Sequence, residues 1–268
     1  MRVLVVLLFA LLTTACAVNP VTGRRQLMLV SEEQAIRDSK EAYVAEMSQL
    51  DQNGKLSQDK ALVRRVETIT GRLVAQAIKF RPETADWEWS VKVIADDETV
   101  NAFCMAGGRM AIYSGLIHKL NASDDEIAQV MGHEIAHALS NHTAEKMSVA
   151  MATSTGIALL GVAQRDNPLA VSAGAMAAAV AVQLPNSRTA ETESDEIGIK
   201  LAAMAGYDPR AAVTLWQKMA EVSGAGEFDW LSTHPAPGKR QEALQKLVPK
   251  MDPIYRDPAP RPQYPLRH

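Results

Sequence analysis

The stretch Met131-Gly132-His133-Glu134-Ile135-Ala136-His137 carries the pattern H-E-x-x-H inside a segment with helical periodicity. Ser123 lies before it and Glu126 follows Ser123 by three residues, so these two residues form the sequence pattern of a capping box. Apolar residues recur at helical spacing between this cap and Leu139, which predicts that most of the helix is buried. The sequence therefore predicts one buried helix with two histidines near its C-terminal end.

His133 and His137 are four residues apart, so on a helix both imidazoles lie on one face and can point at one ion. Glu134 projects beside them and is not needed as a ligand. A carboxylate in that position can take a proton from a zinc-bound water, which then attacks a peptide carbonyl. The alternative interpretation is a helix whose two histidines have a structural role.

A catalytic zinc usually has three protein ligands and a water, so a third ligand is expected elsewhere in the chain. The acidic segment Ser187–Gly198 offers Glu191 and Asp195, which are four residues apart and share one helix face. This spacing suits a metal-binding carboxylate at Glu191 and an acid at Asp195 that orients a ligand histidine. Glu193 and His142 are predicted to face away from the metal. The alternative for the acidic segment is a solvated helix start, which the helix dipole favours.

The sequence resembles the HtpX and CAAX-prenyl-endopeptidase family of zinc metallopeptidases, and separate motifs carry that resemblance. They are the H-E-x-x-H pattern, the later pattern S-R-x-x-E-x-E-x-D-x-x-G, and Thr233-His234-Pro235 with Arg240. Asn19–Leu27 is similar to the start of the soluble, lipoprotein-type members of the family. The similarity runs from Asn19 to Leu247, and Ser194 stands where the family usually has alanine.

The resemblance implies an α+β fold that is mostly helical. It is a zincin-type metallopeptidase domain with a small sheet whose edge strand borders the H-E-x-x-H helix. The resemblance also implies one Zn²⁺ per subunit, bound by His133, His137 and Glu191, with Glu134 as the catalytic acid and base. His234 is implied as a second catalytic group, which either donates to the oxyanion or approaches the zinc when no substrate is bound.

The predicted strand Arg109–Tyr113 precedes the zinc helix, and the resemblance implies that it is the edge strand. A free strand edge can bind an extended substrate as an additional strand, with little demand on the substrate side chains. An ordinary hairpin strand is the alternative. Arg188 is expected to pair with an acidic group beside the ligands, or else to form an ordinary salt bridge. The predicted substrate-binding residues are Arg109, Met110, Ala111, Ile112 and Tyr113.

The chain has 268 residues, of which 47% are hydrophobic, and a formal net charge of −3. This length suffices for one sizeable domain, and the charge does not indicate a nucleic-acid partner. We expect a zinc metallopeptidase domain at residues 31–250, with an apolar helical hairpin or lid at residues 149–184. A lid that touches the membrane is the alternative, since each apolar run is too short to cross a bilayer. Residues 251–268 are rich in proline and are predicted to form an extended or disordered tail.

Residues 1–15 are predicted to be a signal peptide, because Arg2 precedes a short apolar stretch that cannot span a bilayer. Thr13-Thr14-Ala15-Cys16 resembles a bacterial lipoprotein cleavage site, in which the cysteine becomes lipidated. The residue after this cysteine is Ala17 and not a retention-type aspartate, which resembles lipoproteins that are sorted to the outer membrane. Residues 16–30 would then form a lipid-anchored tether. An ordinary secreted protein with a leftover cysteine is the alternative.

These interpretations together predict a zinc-dependent endopeptidase of the bacterial cell envelope. The expected location is the periplasm, as an outer-membrane lipoprotein held to the membrane through lipidated Cys16. The resemblance implies unfolded or misassembled envelope proteins as substrates. The alternative from a different functional class is an envelope assembly factor or chaperone whose peptidase site is autoinhibited.

Overall fold

A computed structural model describes residues 16–163, 171–172, 184–223, 234 and 240–267. Most of the secondary structure in these residues is α-helical, and short strands form two small sheets, which confirms the predicted fold class. The strands are β1 (Cys16–Val18), β2 (Arg25–Leu27), β3 (Ser90–Ile94), β4 (Ala102–Met105) and β5 (Arg109–Tyr113). The helices are α1 (Glu32–Gln52), α2 (Lys60–Phe80), α3 (Ser114–Lys119), α4 (Asp124–Leu139), α5 (His142–Ala163), α6 (Leu184–Met204), α7 (Ala211–Ser223) and α8 (Arg240–Tyr255), with a 3-10 helix at Pro82–Asp86.

Helix α4 carries the H-E-x-x-H pattern and lies in the main hydrophobic core. The predicted capping box is present: the Glu126 backbone N–H donates to the Ser123 hydroxyl at 3.2 Å, and the Ser123 backbone N–H donates to the Glu126 carboxylate at 2.9 Å. Ile127, Met131 and Ile135 are fully buried. The predicted start and the predicted burial of this helix are therefore both confirmed.

The larger sheet has the strand order β3-β5-β4, so β5 lies at its centre. Strand β5 pairs in parallel with β3 and antiparallel with β4. The prediction that Arg109–Tyr113 is an edge strand is wrong, because both of its edges are already paired. Its three central residues are fully buried, and the Arg109 guanidinium pairs with Glu88.

Strand β4 is an outer strand of this sheet and packs along α4. The other outer strand, β3, is joined by residues 55–57: the Ser57 N–H donates to the Val93 carbonyl at 2.8 Å. Nearby, the Ala95 N–H donates to the Lys55 carbonyl at 2.7 Å. Of the two outer strands, β4 is therefore the one that borders the H-E-x-x-H helix, in place of the predicted β5.

The segment predicted as a tether is folded onto the domain. Strands β1 and β2 form an antiparallel pair, and the loop between them lies at the C-terminal end of α4. The Asn19 side chain donates to the Ser140 carbonyl at 3.3 Å, and the Gln26 side chain donates to the same oxygen at 2.8 Å. The predicted signal peptide at residues 1–15 lies outside the described residues.

The proline-rich C-terminal segment, for which an extended or disordered tail was predicted, forms no helix or strand at residues 256–267 and is held against the domain. The Tyr264 N–H donates to the Gly71 carbonyl at 2.9 Å, and the Arg267 N–H donates to the Trp89 carbonyl at 2.8 Å. Helix α8 continues to Tyr255, so residues 251–255 belong to the helix and not to the tail. The tail is ordered because Tyr264 and Leu266 pack against the main core.

The predicted apolar hairpin begins within α5, which is one continuous helix from His142 to Ala163. Met151, Leu159 and Val162 on this helix are exposed. Residues 164–170 and 173–183, which contain the rest of the hairpin, lie outside the described residues. In the part of the chain that the structure describes, no helix is both long enough and apolar enough to cross a bilayer.

Candidate metal centre

Four side chains from three parts of the chain converge at one point. His133, His137, Glu191 and His234 each offer one ligand atom, and these atoms all lie within 4.8 Å of one another. Nε2 of His133 is 3.1 Å from Nε2 of His137 and 3.3 Å from Oε2 of Glu191. Nε2 of His137 is 3.5 Å from Oε1 of Glu191. The three predicted ligands therefore meet, although Glu191 lies on α6 and the two histidines lie on α4.

The donor set of this cluster fits zinc. Two imidazole nitrogens and one carboxylate are a ligand set found in catalytic zinc sites. His234 offers a further nitrogen, since its Nδ1 is 3.2 Å from both carboxylate oxygens of Glu191. A set dominated by imidazole nitrogens favours zinc over Mg²⁺ and Ca²⁺, which prefer oxygen ligands.

Asp195 and Arg240 contact the side chains of the ligand cluster. Oδ1 of Asp195 is 3.1 Å from Nδ1 of His133, as expected for an acid that orients a ligand histidine. Nη2 of Arg240 donates to Oδ1 of Asp195 at 2.6 Å, and its Nη1 is 3.0 Å from Oε2 of Glu191. The guanidinium also lies over the Trp216 ring, 4.5 Å from the ring centroid. Arg240 thus holds both carboxylates in place and is itself fixed by stacking.

Arg188 was expected to pair with an acidic group beside the ligands or else to form an ordinary salt bridge. Arg188 is exposed on α6, where its backbone carbonyl accepts a hydrogen bond from Thr192 at 3.0 Å. The guanidinium that pairs with Asp195 and Glu191 belongs to Arg240. The sequence signal for Arg240 was its position after the Thr233-His234-Pro235 motif, without an assigned role.

Burial and hydrogen bonds shift the pKa values of the ligand cluster in different directions. Burial lowers the pKa of His137 well below its usual value, and His133 adds to this effect. Burial and Arg240 would also lower the pKa of His133, but hydrogen bonds with Asp195 and Glu191 outweigh them and raise it to about 9. Burial raises the pKa of Glu191, whereas hydrogen bonds with the histidines lower it more strongly and keep the carboxylate ionised. A neutral His137 and an ionised Glu191 are the forms that bind metal.

Glu134 and His234 lie next to each other at the ligand cluster. Glu134 is 3% exposed, and its Oε1 is 3.4 Å from Nε2 of His234. Nδ1 of His234 is 3.4 Å from Nε2 of His133. The imidazole of His234 therefore spans from the ligand atoms to the carboxylate of the predicted catalytic base.

A second set of contacts, made by His142 and Glu193, was not predicted from the sequence. Both residues face away from the ligand atoms, as predicted, but Nδ1 of His142 lies 3.0 Å from Nδ1 of His137. Nε2 of His142 lies 2.9 Å from Oε2 of Glu193. Asn141, with a φ of 56°, separates α4 from α5 and allows His142 to lie beside the preceding helix. The only sequence signal for this contact was that His142 follows His137 by five residues. That signal is weak, because the two rings would lie apart if α4 continued through His142.

Comparison with known proteins identifies the family. The sequence model of Peptidase family M48 matches residues 60–248. This range is more than half of the chain and includes the whole ligand cluster. The chain belongs to peptidase family M48. It is therefore a metallopeptidase with zinc as its cofactor, and the donor set fits that metal.

Several M48 relatives match most of the chain. Metalloendopeptidase OMA1, mitochondrial, of Bos taurus is 32% identical over 88% of this chain and 47% of that protein. Mitochondrial metalloendopeptidase OMA1 of Schizosaccharomyces pombe is 31% identical over 86% of this chain and 66% of that protein. The putative beta-barrel assembly-enhancing protease of Vibrio cholerae is 30% identical over 78% of this chain and 45% of that protein. The chain spans about half the length of the Bos taurus and Vibrio cholerae relatives.

These relatives refine the resemblance stated from the sequence. The expectation of a zinc metallopeptidase is confirmed at the level of the M48 family. The relatives that match include OMA1 and beta-barrel assembly-enhancing proteases, and they do not specifically support the narrower resemblance to HtpX and CAAX-prenyl endopeptidases.

Proposed function

We propose that this M48 metallopeptidase is a zinc-dependent endopeptidase of the bacterial cell envelope that hydrolyses peptide bonds in unfolded or misassembled proteins. The observation that carries the proposal is the convergence of His133, His137 and Glu191 beside the buried carboxylate of Glu134. Three ligands and an adjacent carboxylate that is not a ligand are the parts that metal-assisted peptide hydrolysis requires.

The residues around the site divide the chemical work. Zinc, when bound by His133, His137 and Glu191, lowers the pKa of a water and polarises the substrate carbonyl. Glu134 accepts a proton at its carboxylate during attack and returns it to the leaving amine. Asp195 accepts a hydrogen bond from Nδ1 of His133, so that Nε2 of this ring faces the ligand cluster.

His234 has a position that suits two successive roles. Its Nδ1 lies among the ligand atoms, so we propose that it is a fourth donor when no substrate is bound. With substrate bound, the imidazole of His234 would donate a hydrogen bond to the oxyanion that develops. The 3.4 Å distance from its Nε2 to Glu134 supports this proposal, because the ring already lies beside the reacting groups.

We propose that β4 binds the substrate instead of the predicted β5. The Tyr113 N–H donates to the Asn101 carbonyl at 3.0 Å, so residues 101, 103 and 105 direct their backbone groups toward β5. Ala102 and Cys104 then direct their backbone groups toward the outer side of the sheet. An extended peptide would pair with the backbone groups of these two residues, which are 7% exposed at Cys104 and 1% exposed at Ala102. Backbone pairing demands little of the side chains, which suits unfolded substrates.

The proposed location is the periplasmic face of the outer membrane, as a lipoprotein anchored through Cys16. The sequence before Cys16 supports the anchor, and the Vibrio cholerae relative named as a beta-barrel assembly-enhancing protease supports an envelope role. Palmitate labelling of the wild type and of Cys16→Ser tests the anchor. Labelling of the wild type alone is expected, and equal labelling of both proteins would refute it.

The peptidase proposal is tested by digestion of an unstructured protein. We expect the wild type to cleave it, and a chelator or Glu134→Gln to abolish cleavage. Cleavage that persists in Glu134→Gln would refute the proposed mechanism.

An envelope assembly factor with an autoinhibited site is the second candidate. The position of His234 among the ligand atoms favours it, because a fourth protein donor occupies the place that the substrate needs. Cleavage by His234→Ala together with an inactive wild type would support this second candidate over the first.

A further inference from the structure

His137 has two ring nitrogens, and the structure uses both of them. Its Nε2 belongs to the ligand cluster, and its Nδ1 lies 3.0 Å from Nδ1 of His142. At that distance one nitrogen must carry the proton and the other must accept it. The direction of this hydrogen bond therefore decides which nitrogen of His137 keeps a lone pair for metal.

Glu193 fixes that direction. Nε2 of His142 lies 2.9 Å from Oε2 of Glu193, and an ionised carboxylate only accepts hydrogen bonds. His142 must therefore donate from Nε2, which leaves its Nδ1 as the acceptor in the neutral ring. His137 then donates from Nδ1 and presents the Nε2 lone pair to the ligand cluster. Nδ1 of His142 also lies 3.3 Å from the Ser194 hydroxyl, which is longer than its 3.0 Å distance to Nδ1 of His137.

The N-terminal loop holds Glu193 in position. Nε of Arg24 donates to Oε1 of Glu193 at 3.0 Å, and Nη2 donates to Oε2 at 3.0 Å. The Thr22 hydroxyl donates to Oε1 at 2.6 Å. The same guanidinium donates to both carboxylate oxygens of Glu145, at 2.8 and 2.6 Å. Bidentate, charge-assisted contacts of this kind fix the carboxylate in direction as well as in place.

We propose that His142 is a positioning residue for His137, held by Glu193 and Arg24, so that loop 19–24 forms part of the metal centre. The proposal rests on the proposed role of His137 as a ligand. Its consequence is that the segment next to the proposed lipid anchor acts on the metal site through two side chains. Any displacement of this loop would weaken the zinc site while leaving the ligands and Glu134 intact.

The test measures zinc affinity by competition with a chromophoric chelator, together with the visible absorption of the Co²⁺-substituted protein. We expect His142→Phe, Glu193→Gln and Arg24→Met to lower zinc affinity by about 10- to 100-fold and to alter the Co²⁺ spectrum. Arg24→Lys should restore part of the affinity because it retains the charge. Arg25→Met, at an exposed neighbouring position with the same change in charge, is the control and should bind zinc as the wild type does.

A double mutant shows whether Arg24 acts through His142. If it does, Arg24→Met should lower zinc affinity little further in the His142→Phe background. Glu193→Gln, which is nearly isosteric, replaces His142→Phe if that variant fails to fold. Unchanged zinc affinity in folded Glu193→Gln and Arg24→Met, or fully additive effects, would overturn the proposal. A wild type that binds no zinc would instead refute the ligand assignment on which it rests.

Discussion

Gly132 on α4 and Gly198 on α6 lie against each other with no room for a side chain between them. A Cβ at Gly132 would be 2.9 Å from the Gly198 carbonyl oxygen, and a Cβ at Gly198 would be 2.8 Å from the His133 backbone nitrogen. The two helix backbones therefore touch immediately beside the first ligand histidine. This contact brings Glu191, on the same helix as Gly198, to the two histidines of α4.

We predict that Gly198→Ala separates the two helices and weakens both the fold and the metal site. The added methyl group meets backbone atoms that cannot rotate away, so the free energy of unfolding should fall by about 1–3 kcal/mol. Zinc affinity should fall as well, because the helix that moves carries Glu191. Thermal unfolding and chelator competition measure the two effects.

The matched control for this change is Gly156→Ala on α5. A Cβ at that glycine would meet no atom within 4 Å, and the position is exposed. Alanine should raise the stability there by about 0.5–1 kcal/mol, since glycine is the weaker helix former. A Gly198→Ala protein as stable as Gly156→Ala and with normal zinc affinity would contradict the close contact.

Glu134→Gln should abolish turnover and keep the metal. The amide cannot accept the proton that hydrolysis transfers, and loss of a general acid–base group lowers turnover by about 10²- to 10⁴-fold. Glu134 is not among the clustered ligand atoms, so zinc content should stay at the wild-type level. Glu196→Gln, the same chemical change at an exposed site of α6, is the control and should retain activity. Loss of zinc in Glu134→Gln would show that this carboxylate is a ligand.

Metal removal should lower the melting temperature and stop cleavage. The buried site holds the ionised Glu191 close to His133, so a metal held by both residues would link α4 to α6. Binding to the folded state alone stabilises it by about 2.7 kcal/mol when free zinc is 100 times the Kd. Chelator-treated protein should therefore melt at a lower temperature, and Zn²⁺ should restore the wild-type value where Mg²⁺ does not. Equal melting curves with and without zinc would contradict a site that joins the two helices.

The C-terminal tail should contribute to stability through its contact with Gly71. A Cβ at this glycine would be 2.8 Å from Cγ of Gln263 and 2.8 Å from the Tyr264 carbonyl oxygen. Gly71→Ala should therefore displace the tail, break the Tyr264 hydrogen bond to Gly71, and reduce stability by about 1–3 kcal/mol in urea unfolding. In a chain truncated after Pro260, Gly71→Ala should cause no loss of stability, because Gln263 and Tyr264, which the added methyl group would meet, are absent. A similar loss in both backgrounds would place the effect within α2 and not at the tail.

Several features followed from the sequence because they depend on local physics. The start of α4 depends on Ser123 and Glu126, which are three residues apart and satisfy each other's backbone groups. The shared direction of His133 and His137 depends only on the helical repeat. The motif around Glu191 was sufficient to select the third member of the ligand cluster, which the structure then brought to the histidines.

The tertiary structure alone decided the sheet order and the outer contacts of the site. Strand β5 lies at the centre because β3 pairs with its other edge, and a strand pattern contains no information about which partners its edges find. The contacts from His142 through Glu193 to Arg24 join three distant stretches of chain, so no spacing in the sequence reports them. The local sequence determines which helix or strand a residue belongs to and which side of it the residue occupies. The packing of distant segments against one another determines which atoms that side chain contacts.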